Sequence, residues 1–350
     1  MIKRLLERSG RAVASRVDRA VVERFIKASS PDPSPRPEAA HRGTIARLAE
    51  VTAAQADARF YEDPDTFFAP PEPARASWSV VRERAGRRTL ALDWPSGYVP
   101  FHDDAAGAYL RPPENATARA RLITQGEGRP VTILVHGYRM GHLDVDARIW
   151  PIEQLLGAGL DVAQIVLPHH GPRMAQGRRR PLFPNADPRL TVEGVRQGVH
   201  DIRQLIGVLR ARGSERVGVI GMSLGGLVSS TLATVDPTLD HVVPMIPLAS
   251  FADFGRDNGT LPGDPIQRRD LHRALEEVTR VVSPLSRPLA VDPSRALVLA
   301  GEGDEVTPQG HAELIARHFG APLELFHGGH LLQFGRKAAF ERVVEMIHSA

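Results

Sequence analysis

The sequence predicts an α/β fold: a mostly parallel central sheet with helices on both faces, preceded by an N-terminal helical extension. Three observations carry that prediction. From about residue 131 onward, short apolar runs alternate with helical stretches, the pattern of strands joined by crossover helices. Val131–Val135 is a continuous, mainly β-branched run of the kind buried on both faces. Before the sheet, alternating prolines at Pro31, Pro33, Pro35 and Pro37 separate a basic helical segment from everything that follows.

Composition sets the outer bounds. The chain has 350 residues, 42% hydrophobic and 24% charged, enough for one large domain with an appendage or for two ordinary ones. It contains no cysteine, which excludes disulfides, thiolate metal sites and a cysteine nucleophile. The net charge is +3, and residues 1–30 hold eight Lys/Arg against three Asp/Glu, so the basic excess lies entirely in that segment. With the charge confined there and aromatics at 5%, no nucleic-acid partner is expected. The first residues lack a continuous apolar stretch of the secretory type, so the expected location is cytoplasmic.

Taken in order, the first element is a helix from Ile2 to about Ala28. Ile2, Leu5, Leu6, Val13 and Val17 fall on one side, with Lys3, Arg4, Arg8, Arg11 and Arg19 over the rest. Two readings stand: residues 1–28 touch an anionic membrane surface peripherally, or the helix packs on its own domain with a solvated basic face. On the membrane reading, deleting residues 1–37 spares activity on a soluble substrate. The proline-rich linker spans 31–37, a second helix runs around Gly43–Phe60, and the extension ends at residue 77.

The main domain, 78–350, opens with strands at Trp78–Arg84, Thr89–Trp94 and Arg119–Thr124. Strands follow at Val131–Val135, Val162–Leu167, Val217–Ile220, His241–Ile246, Ala296–Ala300 and Leu323–Phe326. The helices between and after them are placed at Thr191–Arg212, Leu224–Thr234, Pro308–Phe319 and Arg336–His348. Residues 251–288, polar and partly helical, interrupt the alternation and read as an insertion over the sheet's edge. Val217–Val235 is uncharged and as long as a membrane span, but its glycines and serines favour a buried strand–turn–helix.

Gly221-Met222-Ser223-Leu224-Gly225 sits between that strand and helix, the context a nucleophile elbow requires. A carboxylate and an imidazole follow in the matching chain order. Asp304 lies in the loop after Ala296–Ala300, with Glu302 and Glu305 as weaker alternatives. His330 closes His327-Gly328-Gly329-His330 after the last strand, with His327 as its rival and the two glycines giving the loop freedom. His136-Gly137-Tyr138 follows Val131–Val135, where one oxyanion donor is drawn; Tyr138 N–H is assigned to it, Gly137 in reserve, and Leu224 N–H supplies the other. His136 reads as structural.

On these motifs, from about Trp78 to the C-terminus, the chain resembles the α/β-hydrolase superfamily. The segment Leu167-Pro168-His169-His170-Gly171-Pro172-Arg173, with Arg180-Pro181, is similar to the Pro-x-x-Gly-x-Arg segment of the group named after alpha/beta-hydrolase domain-containing protein 18. The superfamily resemblance implies a hydrolase with no cofactor. A Ser223–His330–Asp304 triad cleaving a small or lipid-like carboxylic ester through an acyl-enzyme is then expected. Amide or peptide cleavage uses the same residues, and a membrane-associated scaffold on the same fold is the alternative of a different class. No metal is expected: His169 and His170, being adjacent, point opposite ways in an extended loop. His169, His170 and Arg173 are instead expected to line the substrate mouth, where the arginines through Arg180 would favour an acidic group, or else to form a solvated basic loop.

Overall fold

The β-branched runs become strands. In the computed structural model, which describes residues 2–30 and 32–349, these are β1 (Ser77–Arg84), β2 (Arg87–Pro95), β3 (Thr117–Thr124), β4 (Val131–Val135) and β5 (Asp161–Ile165). They continue as β6 (Val217–Met222), β7 (Val242–Met245), β8 (Val298–Gly301) and β9 (Leu323–Phe326). The side chains of residues 1–6 lie outside the described set, as does Pro31, so the expectations placed on Ile2, Lys3, Arg4, Leu5, Leu6 and Pro31 fall there. One nine-stranded sheet runs β1-β2-β3-β5-β4-β6-β7-β8-β9. β1, β2 and β3 enter antiparallel, and β5 through β9 pair in parallel, so the sheet is mixed. Ala85-Gly86, both at positive φ, makes the tight turn of the first hairpin.

The helices are α1 (Ile2–Val21), α2 (Glu38–Ala54), α3 (Arg59–Glu62), α4 (Asp103–Leu110), α5 (Leu143–Asp146) and α6 (Ile152–Gly157). After them come α7 (Pro188–Ala211), α8 (Leu224–Ala233), α9 (Phe251–Asp257), α10 (Pro265–Thr279), α11 (Gln309–Phe319) and α12 (Arg336–Ser349). Every residue of β4 and β6 is buried because helices cover both sheet faces. On one face Ile133, Val135 and Val219 pack with α7, α8 and α11; on the other Leu134, Ile220 and Val243 pack with α6 and α12.

Chain order places the site. β5 pairs on one side of β4 and β6 on the other, so the connections leaving β4 and β6 diverge, opening a crevice at their C-terminal ends. Val135 pairs with Gly221 at that edge. The loops that follow β4, β6, β8 and β9 carry His136–Tyr138, Ser223, Asp304 and His330 respectively.

The 251–288 insertion joins β7 to β8, neighbouring interior strands. Its α10 packs Leu271, Leu275 and Val278 against Leu48 and Val51 of α2. The proline-rich segment is tied down on the same helix: Gln267 bonds both the N–H and the carbonyl of Arg36, at 3.0 and 2.8 Å. The N-terminal extension also contributes Phe60, Phe67 and Phe68 to the main core.

α7 has an inner face that periodicity alone does not explain. Glu193, Gln197, Asp201 and Gln204, a polar stripe at helical spacing, are all buried. Each is paired. Glu193 accepts from Tyr98 Oη and the His102 N–H, Gln197 from Tyr109 Oη, Asp201 from Ser96 Oγ and Arg173, and Gln204 from Trp94 Nε1. The stripe fastens residues 94–109 and the β5 loop to the core, with polar groups satisfied as burial demands.

Candidate active site

Ser223 stands between β6 and α8 with φ 56° and ψ −115°, backbone strain costing about 1–3 kcal/mol that the surrounding contacts must hold. They do so by close approach. A Cβ on Gly221 would meet Gly225 O at 2.1 Å, and one on Gly225 would meet Val135 O at 2.1 Å. Neither glycine has positive φ; the serine does, and the glycines make room for α8 to press against β4 and β6. Gly225→Ala should therefore be more damaging than an ordinary helical substitution. We expect a loss of about 2 kcal/mol or more in chemical denaturation, because backbone must shift.

Ser223 N–H donates to Met245 O at 3.0 Å, and its carbonyl accepts from Leu227 and Leu248 N–H, so the backbone at the turn is fixed on both sides. A Cβ on Gly137 would lie 3.4 Å from Ser223 Cβ, which places the His136–Tyr138 turn beside the serine. Leu224 N–H is the first of α8, where helix amides have no partner within the helix. His136 is structural: Nδ1–H donates to Gly137 O at 2.8 Å, and Nε2 accepts from Leu167 N–H at 3.0 Å. Burial pushes this imidazole down to about 4, keeping it neutral.

Asp304 and His330 meet. His330 Nδ1 lies 2.8 Å from Asp304 Oδ2, while Asp304 Oδ1 accepts from the N–H groups of Val306 and Thr307, each at 2.8 Å. Thr307 Oγ1 sits 3.1 Å from both Asp304 Oδ2 and His330 Nδ1 and 3.0 Å from Ile246 O. Burial disfavours the imidazolium, but the charge of Asp304, its hydrogen bond and the charge of Asp18 outweigh this and raise His330 above its ordinary value. Asp304 pairs with His330 rather than with the rival His327, whose ring fills the space beside Gly335. Glu302 and Glu305 turn outward to Arg11 and Arg19. Among the described residues no hydrogen bond joins Ser223 Oγ to His330, whose Nδ1 is taken by Asp304.

Gly328 and Gly329 also act by proximity rather than freedom. Neither has positive φ, and a Cβ on Gly328 would meet Phe334 N at 2.2 Å. Thr307 and Asp18 were not singled out in the sequence. Thr307, three residues after Asp304, follows a recognisable side-chain turn, whereas Asp18 carries no local signal.

His169, His170 and Arg173 do not line a mouth. All three are buried. Arg173 Nη1 donates to Asp201 Oδ2 at 2.7 Å and to Val166 O at 2.9 Å, and Nη2 to Asn115 O at 3.0 Å. His169 Nε2 accepts from Asn115 Nδ2 at 3.1 Å, and His170 Nδ1 donates to Pro168 O at 2.8 Å. Burial lowers both imidazoles, His169 to about 3. The expectation took a basic loop after a central strand for an exposed one, but the carboxylate of α7 draws it inward.

Among the described residues, Asp253, His272 and Glu276 come together with donor atoms within 4.8 Å. They are already engaged: His272 bonds Asp253, Arg256 pairs with Asp253, and Ser250 donates to Glu276. A surface groove of about 870 Å³ is lined by residues such as Arg87, Ile123, Trp150 and Glu153, and by none of Ser223, Asp304 or His330.

The serine on a strained strand–helix turn and the Asp304–His330 pair at the same sheet edge define the class of the α/β hydrolases. The alpha/beta hydrolase family model matches residues 132–345, and the chain belongs to that family. It is 32% identical over 310 residues to the uncharacterized protein Rv2627c of Mycobacterium tuberculosis, covering 84% of this chain and 73% of that one. In fold it is similar to the acetyl xylan esterase from Paenibacillus sp. R4, with a TM-score of 0.54 and 17% identity over 94% of this chain and 98% of that one. Acetyl xylan esterase 1 from Thermoanaerobacterium sp. JW/SL YS485 is similar too, with a TM-score of 0.53 and 16% identity over 91% and 96%. No described helix is long and apolar enough to cross a membrane.

Proposed function

We propose that the protein is a serine hydrolase of carboxylic esters, with Ser223 as nucleophile, His330 as general base and Asp304 as its orienting carboxylate. The observation that carries this reading is the 2.8 Å contact of Asp304 Oδ2 with His330 Nδ1, which leaves Nε2 as the nitrogen for proton transfer. His330 takes the Ser223 hydroxyl proton as Oγ bonds the ester carbonyl carbon. The N–H groups of Leu224 and Tyr138 receive the oxyanion, and His330 returns the proton to the departing alcohol. Water, deprotonated by the same imidazole, then releases the acid and frees Ser223.

An ester is preferred to an amide on the esterase names of the fold neighbours, which supports the choice without fixing the acyl group. The test is fluorophosphonate labelling beside turnover of p-nitrophenyl esters of increasing chain length. Labelling of wild type that disappears in Ser223→Ala supports the reading, whereas no labelling of folded wild type overturns it.

The pH profile follows from His330. Catalysis needs its neutral form, and its raised value holds a proton above the ordinary ~6.5. The acid limb of kcat/KM is therefore expected above pH 6.5, activity falling tenfold per unit below it. A limb near pH 5 would remove His330 as the base.

A further inference from the structure

The buried stripe of α1 differs from the apolar side that its sequence suggests. Val13 is 51% exposed, while Ala14, Ser15 and Asp18 are buried. These are small or acidic residues, unsuited to a hydrophobic seam. What they touch explains them.

α1 lies across the two loops that carry Asp304 and His330. Asp18 Oδ2 accepts from His330 N–H at 2.7 Å and Oδ1 from Leu331 N–H at 3.1 Å; Glu305 N–H approaches Oδ2 at 3.4 Å. Ser15 Oγ donates to Gly303 O at 3.0 Å. A Cβ on Gly329 would fall 2.5 Å from Asp18 Oδ2 and 3.1 Å from Ala14 Cβ, and one on Gly303 would fall 3.0 Å from Arg11 O. Helix and loops thus meet glycine against small residue, close enough for a short aspartate to reach main-chain amides. Arg19 pairs with Glu305 at 2.8 Å and Arg11 with Glu302 at 3.6 Å at the rim of the same contact.

A side chain that is 0% exposed while accepting these amides is not there for solubility. Other groups could have capped His330 and Leu331. A carboxylate does so at the cost of burying a charge close to Asp304, and burial raises Asp18, as does the neighbouring Asp304. The amide bonds from His330 and Leu331 offset part of that cost, and the charge of Asp18 adds to that of Asp304 in favouring the His330 imidazolium that would form when the serine gives up its proton.

We propose that Asp18 is a positioning residue for the reaction, its carboxylate gripping the main chain at His330 and Leu331 so that the imidazole is presented to Ser223 with Asp304 behind it. The buried side of α1 at Asp18 thereby supports the His330 loop, while its outer face at Val13 is exposed. The proposal rests on the serine-hydrolase reading of Ser223, and it reverses the expectation that residues 1–37 can be removed without loss of ester turnover. The charged groups acting on His330 are Asp304 from the β8 loop and Asp18 from α1, while Glu305 and Arg19 pair with each other at the rim. Thr307 and Gln333 add neutral contacts, to the His330 ring and the His330 carbonyl.

The experiment compares the full chain as wild type, Asp18→Ala, Asp18→Asn and, on the outer face of α1, Val13→Ala. Each is followed by circular dichroism and thermal melting, then by kcat and KM on p-nitrophenyl acetate from pH 5 to 9. Asp18→Ala should lower kcat about ten- to a hundredfold with KM nearly unchanged, the cost of a misplaced base. Asp18→Asn keeps one oxygen, enough for the shorter bond from His330 N–H but not for Leu331 N–H as well, and removes the charge, so it should recover part of kcat while its acid limb moves to lower pH. Val13→Ala should match wild type. A folded Asp18→Ala with kcat within twofold of wild type, or an Asp18→Asn acid limb that does not move, overturns the proposal. Wild type that turns over no ester and takes no fluorophosphonate overturns the serine-hydrolase reading itself, and this inference with it.

Discussion

Ser223→Ala is expected to abolish fluorophosphonate labelling and to lower kcat on p-nitrophenyl esters by about 10⁴- to 10⁶-fold, with the fold unchanged. The turn is held by main-chain bonds from Ser223 to Met245, Leu227 and Leu248 and by the close approach of Gly221 and Gly225. None of these involves the hydroxyl, so the melting temperature should stay within about a degree of wild type. On the proposed mechanism, what disappears is the atom that bonds the acyl carbon. Residual turnover above the uncatalysed rate is expected from the Leu224 and Tyr138 amides alone. A Ser223→Ala enzyme with more than about a tenth of wild-type kcat would mean that the reaction does not pass through this serine.

Arg173→Ala is expected to destabilise the protein by about 3–5 kcal/mol. The substitution strands Asp201 in a site with no exposure on either partner, and it leaves the carbonyls of Val166 and Asn115 without their donor. Urea denaturation should show the midpoint falling with little change in slope. Arg173→Lys should recover only part of the loss, because one ammonium cannot reproduce the planar fork that reaches Asp201, Val166 and Asn115 together. Activity of the remaining folded fraction on neutral and anionic esters should fall in parallel. A stable Arg173→Ala protein with an altered preference for anionic esters would return the residue to the substrate mouth.

The two outcomes mark what the sequence could and could not disclose. β4 was legible to the residue, and β6 and α8 to within two, because continuous apolar runs are decided locally by their own burial; β9 was legible to the residue from its alternation, Glu324 between Leu323 and Leu325. The elbow was legible for the same reason: its glycines, serine and flanking elements are contiguous. Asp304 and His330 could be placed because each follows a strand. The polar stripe of α7 was not legible. At i, i+4 spacing Glu193, Gln197 and Asp201 look like a solvated face, and their partners lie far away: Ser96 is 105 positions from Asp201. Asp18 is the extreme case, an acid in a basic helix whose meaning depends on an amide 312 positions distant.

That separation has a consequence for how the protein is made. At about 5–20 residues per second, a ribosome needs roughly 15–60 s to progress from codon 18 to codon 330, so α1 emerges long before the amides that Asp18 will bind. The strands through β7 and the elbow can form in that interval, while β9 and the loop that follows it are still to come. Only when the β9 loop clears the exit tunnel can α1 settle across it, and on the proposed mechanism Ser223 is without its positioned base until then.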